Sequence, residues 1–103
     1  MAILRQLSEA ALQDLFNQLR VWERHQEGEL RVVLLSNGPW KRKKGDLKDT
    51  RWERWSFRDQ NDHEIARTCQ HVRKRGGTLA ASGLPDPEQV FRDGTIYVLD
   101  KSL

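Results

Sequence analysis

Residues 30–57 read LRVVLLSNGPWKRKKGDLKDTRWERWSF, and this stretch decides the fold that the sequence predicts. The run Val32–Leu35 predicts a strand over Leu30–Ser36, and because the run is apolar on both faces we expect this strand to be central. Trp40–Asp49 has no hydrophobic period and contains four consecutive cations, which is typical of an exposed loop. Thr50–Phe57 predicts a second strand, so the whole stretch predicts a long hairpin with a basic tip.

The second strand alternates in a way that separates its aromatic residues between two faces. Glu53, Trp55 and Phe57 share one face, while Trp52, Arg54 and Ser56 share the other. We therefore expect the first face to belong to the core and Trp52 to stand outside beside an arginine. The pattern leaves one alternative open: the first helix could cover this face, and Trp52 would then be a core residue.

The positive charge of the chain is concentrated in this hairpin. Between Arg31 and Arg58 there are nine Lys or Arg and three Asp or Glu, a net charge of +6, whereas the remainder of the chain carries −3. Three of the four tryptophans also lie inside this segment. A basic surface interleaved with aromatic rings suits a polyanion whose monomers have flat faces, and it therefore indicates nucleic acid.

A first helix is predicted on the N-terminal side of the hairpin. Ser8 is placed to cap it, Gly28 is placed to end it, and apolar residues recur between them at helical spacing. The members of this apolar stripe are Leu12, Leu15, Phe16, Leu19 and Trp22.

A second helix is predicted over residues 62–75. Asn61 and Glu64 form a capping-box pattern, and Gly76 follows a cationic last turn. Its apolar stripe consists of Ile65, Ala66, Cys69 and Val72.

The C-terminal quarter of the sequence allows two interpretations. Thr78–Ser82 is compatible with a short strand, and Thr95–Leu99 predicts a final strand. Between them, residues 86–94 favour one short helical turn, while Asp93-Gly94 equally fits the turn of a hairpin. We predict a single α+β domain over residues 1–103, a small antiparallel sheet with helices packed on one face, in the order α-β-β-α-β-(short α)-β.

These patterns predict a small, non-enzymatic nucleic-acid-binding protein, with DNA and RNA left open. The basic loop and the second strand would grip phosphates, Trp52 would stack on a base, and the end of the second helix would make a secondary contact. The candidate binding residues are Trp40, Lys41, Arg42, Lys43, Lys44, Lys48, Arg51, Trp52, Arg54, Arg58, Arg73, Lys74 and Arg75.

Two other functions are compatible with the same residues. A metal-independent, toxin-like endoribonuclease would need an acid, a base and cations, which His63, Glu64, Arg67 and His71 could supply from one helix. A protein-interaction module would instead dock the basic hairpin on an acidic protein partner, with a homodimer as a further option.

The cysteine and histidine content and the short apolar runs argue against a metalloprotein, a secreted protein and a membrane protein. The three histidines and the single cysteine, Cys69, lack metal-ligand spacing, so we expect neither a metal nor a cofactor. One cysteine cannot form an internal disulfide, and the first residues lack the segments of a secretory signal. The longest apolar run is too short to cross a bilayer, so we expect no membrane association and a cytoplasmic location.

Overall fold

The structure of the protein is a computed structural model, which describes residues 3–41, 48–80 and 82–102. Within these residues, six strands form one sheet and two short helices accompany it. In chain order the elements are β1 (Ile3–Leu7), α1 (Glu9–Gln18), α2 (Val21–Gln26), β2 (Arg31–Asn37), β3 (Thr50–Arg58), β4 (Glu64–Arg73), β5 (Asp86–Arg92) and β6 (Thr95–Leu99).

The sheet is mixed rather than antiparallel, and its strands lie in the order β1-β6-β5-β4-β3-β2. Four neighbouring pairs are antiparallel, whereas β1 runs parallel to β6, with Ile3 opposite Thr95 and Leu7 opposite Leu99. The predicted fold class is therefore wrong in its element order and in its balance of helix and strand. The strand β1, which the sequence pattern did not predict, joins the two ends of the chain in one sheet.

The first helix begins as the sequence predicts but ends earlier. The Ser8 side chain accepts a hydrogen bond from the Ala11 amide at 3.2 Å, so Ser8 is the N-cap of α1. Arg20 has a left-handed conformation with φ 52°, which interrupts the helical backbone after α1. The predicted single helix is consequently two helices, and Trp22 belongs to α2.

The predicted second helix over residues 62–75 is wrong, because most of this segment is the strand β4. Asp59 accepts hydrogen bonds from the Asn61 and His63 amides, both at 2.9 Å, so the polar residues form a turn instead of a helix cap. Along β4, alternate residues are buried on one face of the sheet: Ala66, Thr68, Gln70 and Val72. Hydrogen bonding to β3 on one side and β5 on the other overrides the weak helical period.

The predicted hairpin is present, but its first strand lies at an edge. β2 and β3 pair antiparallel, with Val32 opposite Phe57 and Leu34 opposite Trp55. In the sheet that the described residues form, β2 has a neighbour on one side only, so the prediction of a central strand is wrong. Leu34 and Leu35 are accordingly exposed. The tip residues Arg42, Lys43 and Lys44 lie outside the described residues.

At the C-terminus the hairpin alternative is confirmed and the helical turn is wrong. Phe91 pairs with Ile96 and Val90 with Tyr97 across the Asp93-Gly94 turn. Both turn residues have positive φ, 50° and 78°, as the two-residue turn of a hairpin requires. Residues 78–82 contribute only an isolated bridge between Leu79 and Val72 in their described part.

The core lies between the helices and one face of the sheet. Leu12, Leu15 and Phe16 of α1 are buried with Val21 of α2 against the sheet residues Phe57, Ala66 and Val90. Phe57 is fully buried, and Phe16, Trp22, His25 and Trp55 surround its ring. Neither helix in the described ranges is long and apolar enough to span a bilayer.

Candidate nucleic-acid interface

The β3–β4 pairing decides which candidate residues share a face of the sheet. Trp52 lies opposite His71 and Arg54 lies opposite Cys69, while Thr50 lies opposite Arg73. Because side chains alternate along a strand, these residues lie on the face opposite to the one that carries Phe57 and the helices. We call this side the open face.

Backbone hydrogen bonds bring two separate chain segments together at one end of β3 and β4. The Lys41 amide donates to the Thr50 carbonyl at 2.6 Å, and the Asp49 amide donates to the Lys41 carbonyl at 2.9 Å. The Lys74 amide in turn donates to the Asp49 carbonyl at 2.8 Å. The turn after β4 therefore lies directly beside the base of the β2–β3 loop.

This meeting point gathers cations that are up to 34 positions apart in the sequence, from Lys41 to Arg75. Lys41, Lys48, Arg73, Lys74 and Arg75 are all exposed there, and Arg51 is half-buried at the same end of β3, on the helix-bearing side. We call the set of Lys41, Lys48, Arg51, Arg73, Lys74 and Arg75 the basic end. Its described acidic residues are Asp49 and Glu53, so the basic end carries a surplus of positive charge.

A polar cluster on the helix-bearing face holds Arg51 and Trp40 in place. The Glu53 carboxylate accepts a hydrogen bond from Arg51 Nε at 2.9 Å and from Trp55 Nε1 at 2.8 Å. The Arg51 guanidinium carbon then lies 4.5 Å from the centroid of the Trp40 ring. Trp40 is thereby anchored against Arg51 where the loop leaves β2.

Trp52 stands on the open face against a residue that has no side chain. Gly38, just beyond β2, donates its amide to the Trp52 carbonyl at 3.1 Å. A Cβ built on Gly38 would lie 2.7 Å from both Cδ1 and Cε2 of the indole. The Arg54 guanidinium carbon is 5.5 Å from the indole centroid. Glycine at position 38 is therefore what allows the ring to lie against β2.

Arg54 is neutralised by an acidic partner across the open face. Its Nε donates to Glu88 of β5 at 3.0 Å, spanning the intervening strand β4 above Cys69. The hydrogen bond and charge of Glu88 raise the pKa of Arg54, so its guanidinium stays charged. Burial, followed by the charge of Glu88, raises the pKa of the Cys69 thiol and keeps it protonated.

Arg58 is not part of the basic end. It lies at the opposite end of β3, eight residues or about 26 Å from Thr50. Its guanidinium forms an ion pair with the Asp62 carboxylate at 3.5 Å and donates a hydrogen bond to the Ser56 hydroxyl at 3.1 Å. The structure thus brings together most of the described candidate residues but leaves Arg58 in a separate cluster.

Of the four residues of the ribonuclease hypothesis, Glu64 and Arg67 are in contact, but the two histidines lie far apart. His63 lies in the turn before β4, at 3.5 Å from Asp59, whereas His71 lies near the other end of the strand. Eight residues of extended chain separate the two histidines by about 26 Å. Glu64 is engaged by Arg67 at 2.8 Å and by the Ser56 hydroxyl. An acid and a base on His63 and His71 therefore cannot act on one phosphate.

A cleft of about 410 Å³ opens at the start of β5. Its charged lining consists of Glu9, Asp86 and Glu88 together with Arg54 and Lys101. Burial and the nearby charge of Glu9 raise the pKa of Asp86. The acidic surplus of this cleft makes it unsuitable for a polyanion. In the described ranges, no group of three His, Cys, Asp or Glu side chains is arranged to hold a metal ion.

Sequence reasoning missed three participants in this region. Gly38 supports Trp52, Glu88 neutralises Arg54, and the Asp49 carbonyl joins the two basic segments. The alternation of Thr68, Gln70 and Val72 was the available signal, because reading β4 as a strand places Lys74 beside the loop. Comparison with protein-family models, curated proteins and solved structures finds no match to this chain.

Proposed function

We propose that this protein binds nucleic acid and that the basic end is the surface that contacts the phosphates. The observation that carries the proposal is the hydrogen bond from Lys74 to Asp49, which joins two basic segments into one surface. Among the described residues, the basic end has six cations against two acids, which leaves a concentrated positive field. Phosphates that replace its counterions would gain affinity from their release.

The charge of α1, the longer helix, supports the choice of this surface over that helix. Duplex DNA is commonly read by a helix in the major groove. The helix α1 contains Glu9 and Asp14 and no Lys or Arg, and its apolar stripe is buried in the core. Its charge would repel a phosphate backbone, so the strand ends and loops are the better binding elements.

The proposal is tested by fluorescence polarisation with labelled oligonucleotides over a series of salt concentrations. Lys74→Ala/Arg75→Ala removes two exposed charges and keeps the backbone bond to Asp49. We expect weaker binding to every probe. For a single strand, the slope of log affinity against log salt should become shallower by about 0.7 for each phosphate that is no longer neutralised. Arg5→Ala/Arg92→Ala removes the same charge far from the basic end and serves as the matched control.

Each outcome of this experiment is informative. A wild-type protein that binds no probe even at low salt would refute nucleic-acid binding itself. Equal weakening in the two double variants would show that net charge matters and that the basic end is not the site. Weakening confined to Lys74→Ala/Arg75→Ala supports the assignment.

A further inference from the structure

We infer that the nucleic acid bound here is single-stranded, with one unpaired base stacked on Trp52 of the open face. This inference rests on the proposed function and adds the class of nucleic acid to it. Its starting observation is that Trp52, a half-buried indole, is held on the open face by contact with Gly38 and is not part of the packed core.

The position of Trp52 relative to the basic end suits one continuous strand. Thr50, which bonds to Lys41, precedes Trp52 by two residues, a distance of about 7 Å along β3. Arg73 lies opposite Thr50 on the same face. Successive phosphates of a strand are a few ångströms apart, so phosphates at the basic end would place a base within reach of the indole.

The surroundings of the indole also favour a planar ligand. His71 is directly opposite Trp52 in the β3–β4 register, and the Arg54 guanidinium approaches the same ring. Imidazole, indole and guanidinium are the groups on which unpaired bases stack. In a duplex the faces of the bases are buried in the stack and only their edges are accessible. Duplex DNA therefore has no free base face that could stack on Trp52.

The Arg54–Glu88 pair reduces the positive charge that the surroundings of Trp52 offer to a phosphate. Because Glu88 already neutralises Arg54, the region around Trp52 offers aromatic surface more than positive charge. Phosphate binding and base stacking are consequently separated in space, the first at the basic end and the second on the open face. Variants of the two regions are therefore expected to change different properties of binding.

The test compares wild type, Trp52→Ala and Trp52→Phe on four probes: single-stranded DNA, single-stranded RNA, duplex DNA, and a DNA strand with abasic positions. We expect Trp52→Ala to bind the intact single strands roughly five- to 150-fold more weakly and to keep the wild-type salt slope. Trp52→Phe retains an aromatic face and is expected to keep most of the affinity. On the abasic strand, Trp52→Ala and wild type should bind equally.

Circular dichroism and urea unfolding establish that each variant is folded before it is scored. Equal affinity of Trp52→Ala and wild type for the single strands, or equal weakening on duplex and abasic probes, would overturn the inference while leaving the basic end as a phosphate site. Absence of binding to all four probes would instead refute the proposed function. The preference between the ribose and deoxyribose strands identifies which single-stranded nucleic acid is bound.

Discussion

Gly38, just beyond the end of β2, and Trp52 of β3 are in such close contact that a side chain on the first would collide with the ring of the second. The Gly38 amide bonds to the Trp52 carbonyl at 3.1 Å, and the indole covers the position that a Cβ would take. Gly38 does not have a positive φ, so its backbone would accept alanine. The requirement for glycine therefore comes from the close approach of the ring and not from the turn.

We expect Gly38→Ala to destabilise the protein by about 1–3 kcal/mol, because the added methyl group forces the indole to move. Urea unfolding of Gly38→Ala, Trp52→Ala and the double variant measures this as a cycle. In the Trp52→Ala background the methyl group has room, so the second substitution should cost much less. Additive effects would show that the ring and Gly38 are not in contact.

Phe57 is expected to be a major contributor to stability among the sheet residues of the core. Its ring is fully buried among Phe16, Trp22, His25 and Trp55, so Phe57→Ala should lower the free energy of unfolding by about 3–5 kcal/mol. Leu34→Ala on the edge strand β2 is the control. Leu34 is 47% exposed, and we expect its truncation to cost less than about 1 kcal/mol. Similar costs for the two variants would contradict the described packing.

Glu88→Gln should strengthen binding to single-stranded probes a few-fold, since it removes an acid from the open face and releases Arg54. The pair is half exposed, with 49% of the Arg54 side chain accessible, so stability should change by less than about 1 kcal/mol. Glu27→Gln is the matched control, because it weakens the exposed pair with Arg20 at the ends of α2 and removes the same charge. An equal gain in affinity in both variants would mean that binding responds only to the net charge of the protein.

Acid should loosen the turn between β3 and β4. The hydrogen bond from the His63 amide, supported by that from Asn61, lowers the pKa of Asp59 from its ordinary value. Since the folded pKa lies below the unfolded one, the stabilisation by Asp59 is complete above the unfolded pKa and is lost as pH falls through the folded pKa. The amide shifts of Asn61 and His63 should titrate with Asp59 in NMR spectra. Asp59→Asn keeps the acceptor oxygen and should abolish that titration.

The elements that the sequence predicted correctly are those with strong local signals. Ser8 caps α1 because its side chain reaches an amide three residues on, and the alternation of Glu53, Trp55 and Phe57 marks one face of β3. The run of strand-forming residues in Thr95–Leu99 likewise predicts β6. In each case the residues that determine the conformation are neighbours in the chain.

The elements that were predicted wrongly depend on distant partners. The helix predicted from the weak apolar period of residues 62–75 is the strand β4, since hydrogen bonds to β3 and β5 satisfy its backbone on both sides. The apolar run of β2 predicts a central strand, yet within the described residues β2 pairs only with β3 and lies at the edge of the sheet.

In the candidate site, too, the features set by neighbouring residues follow from the sequence, and the contacts between distant residues do not. The amino-acid sequence alone determined that the cations and tryptophans are concentrated in one hairpin and that Trp52 and Arg54 share a face. Only the tertiary structure decided that Lys74 and Arg75 lie beside the loop, that Glu88 neutralises Arg54, and that Gly38 supports Trp52. The physical reason is that these contacts depend on strand order and register, which long-range pairing and burial set for the whole sheet at once.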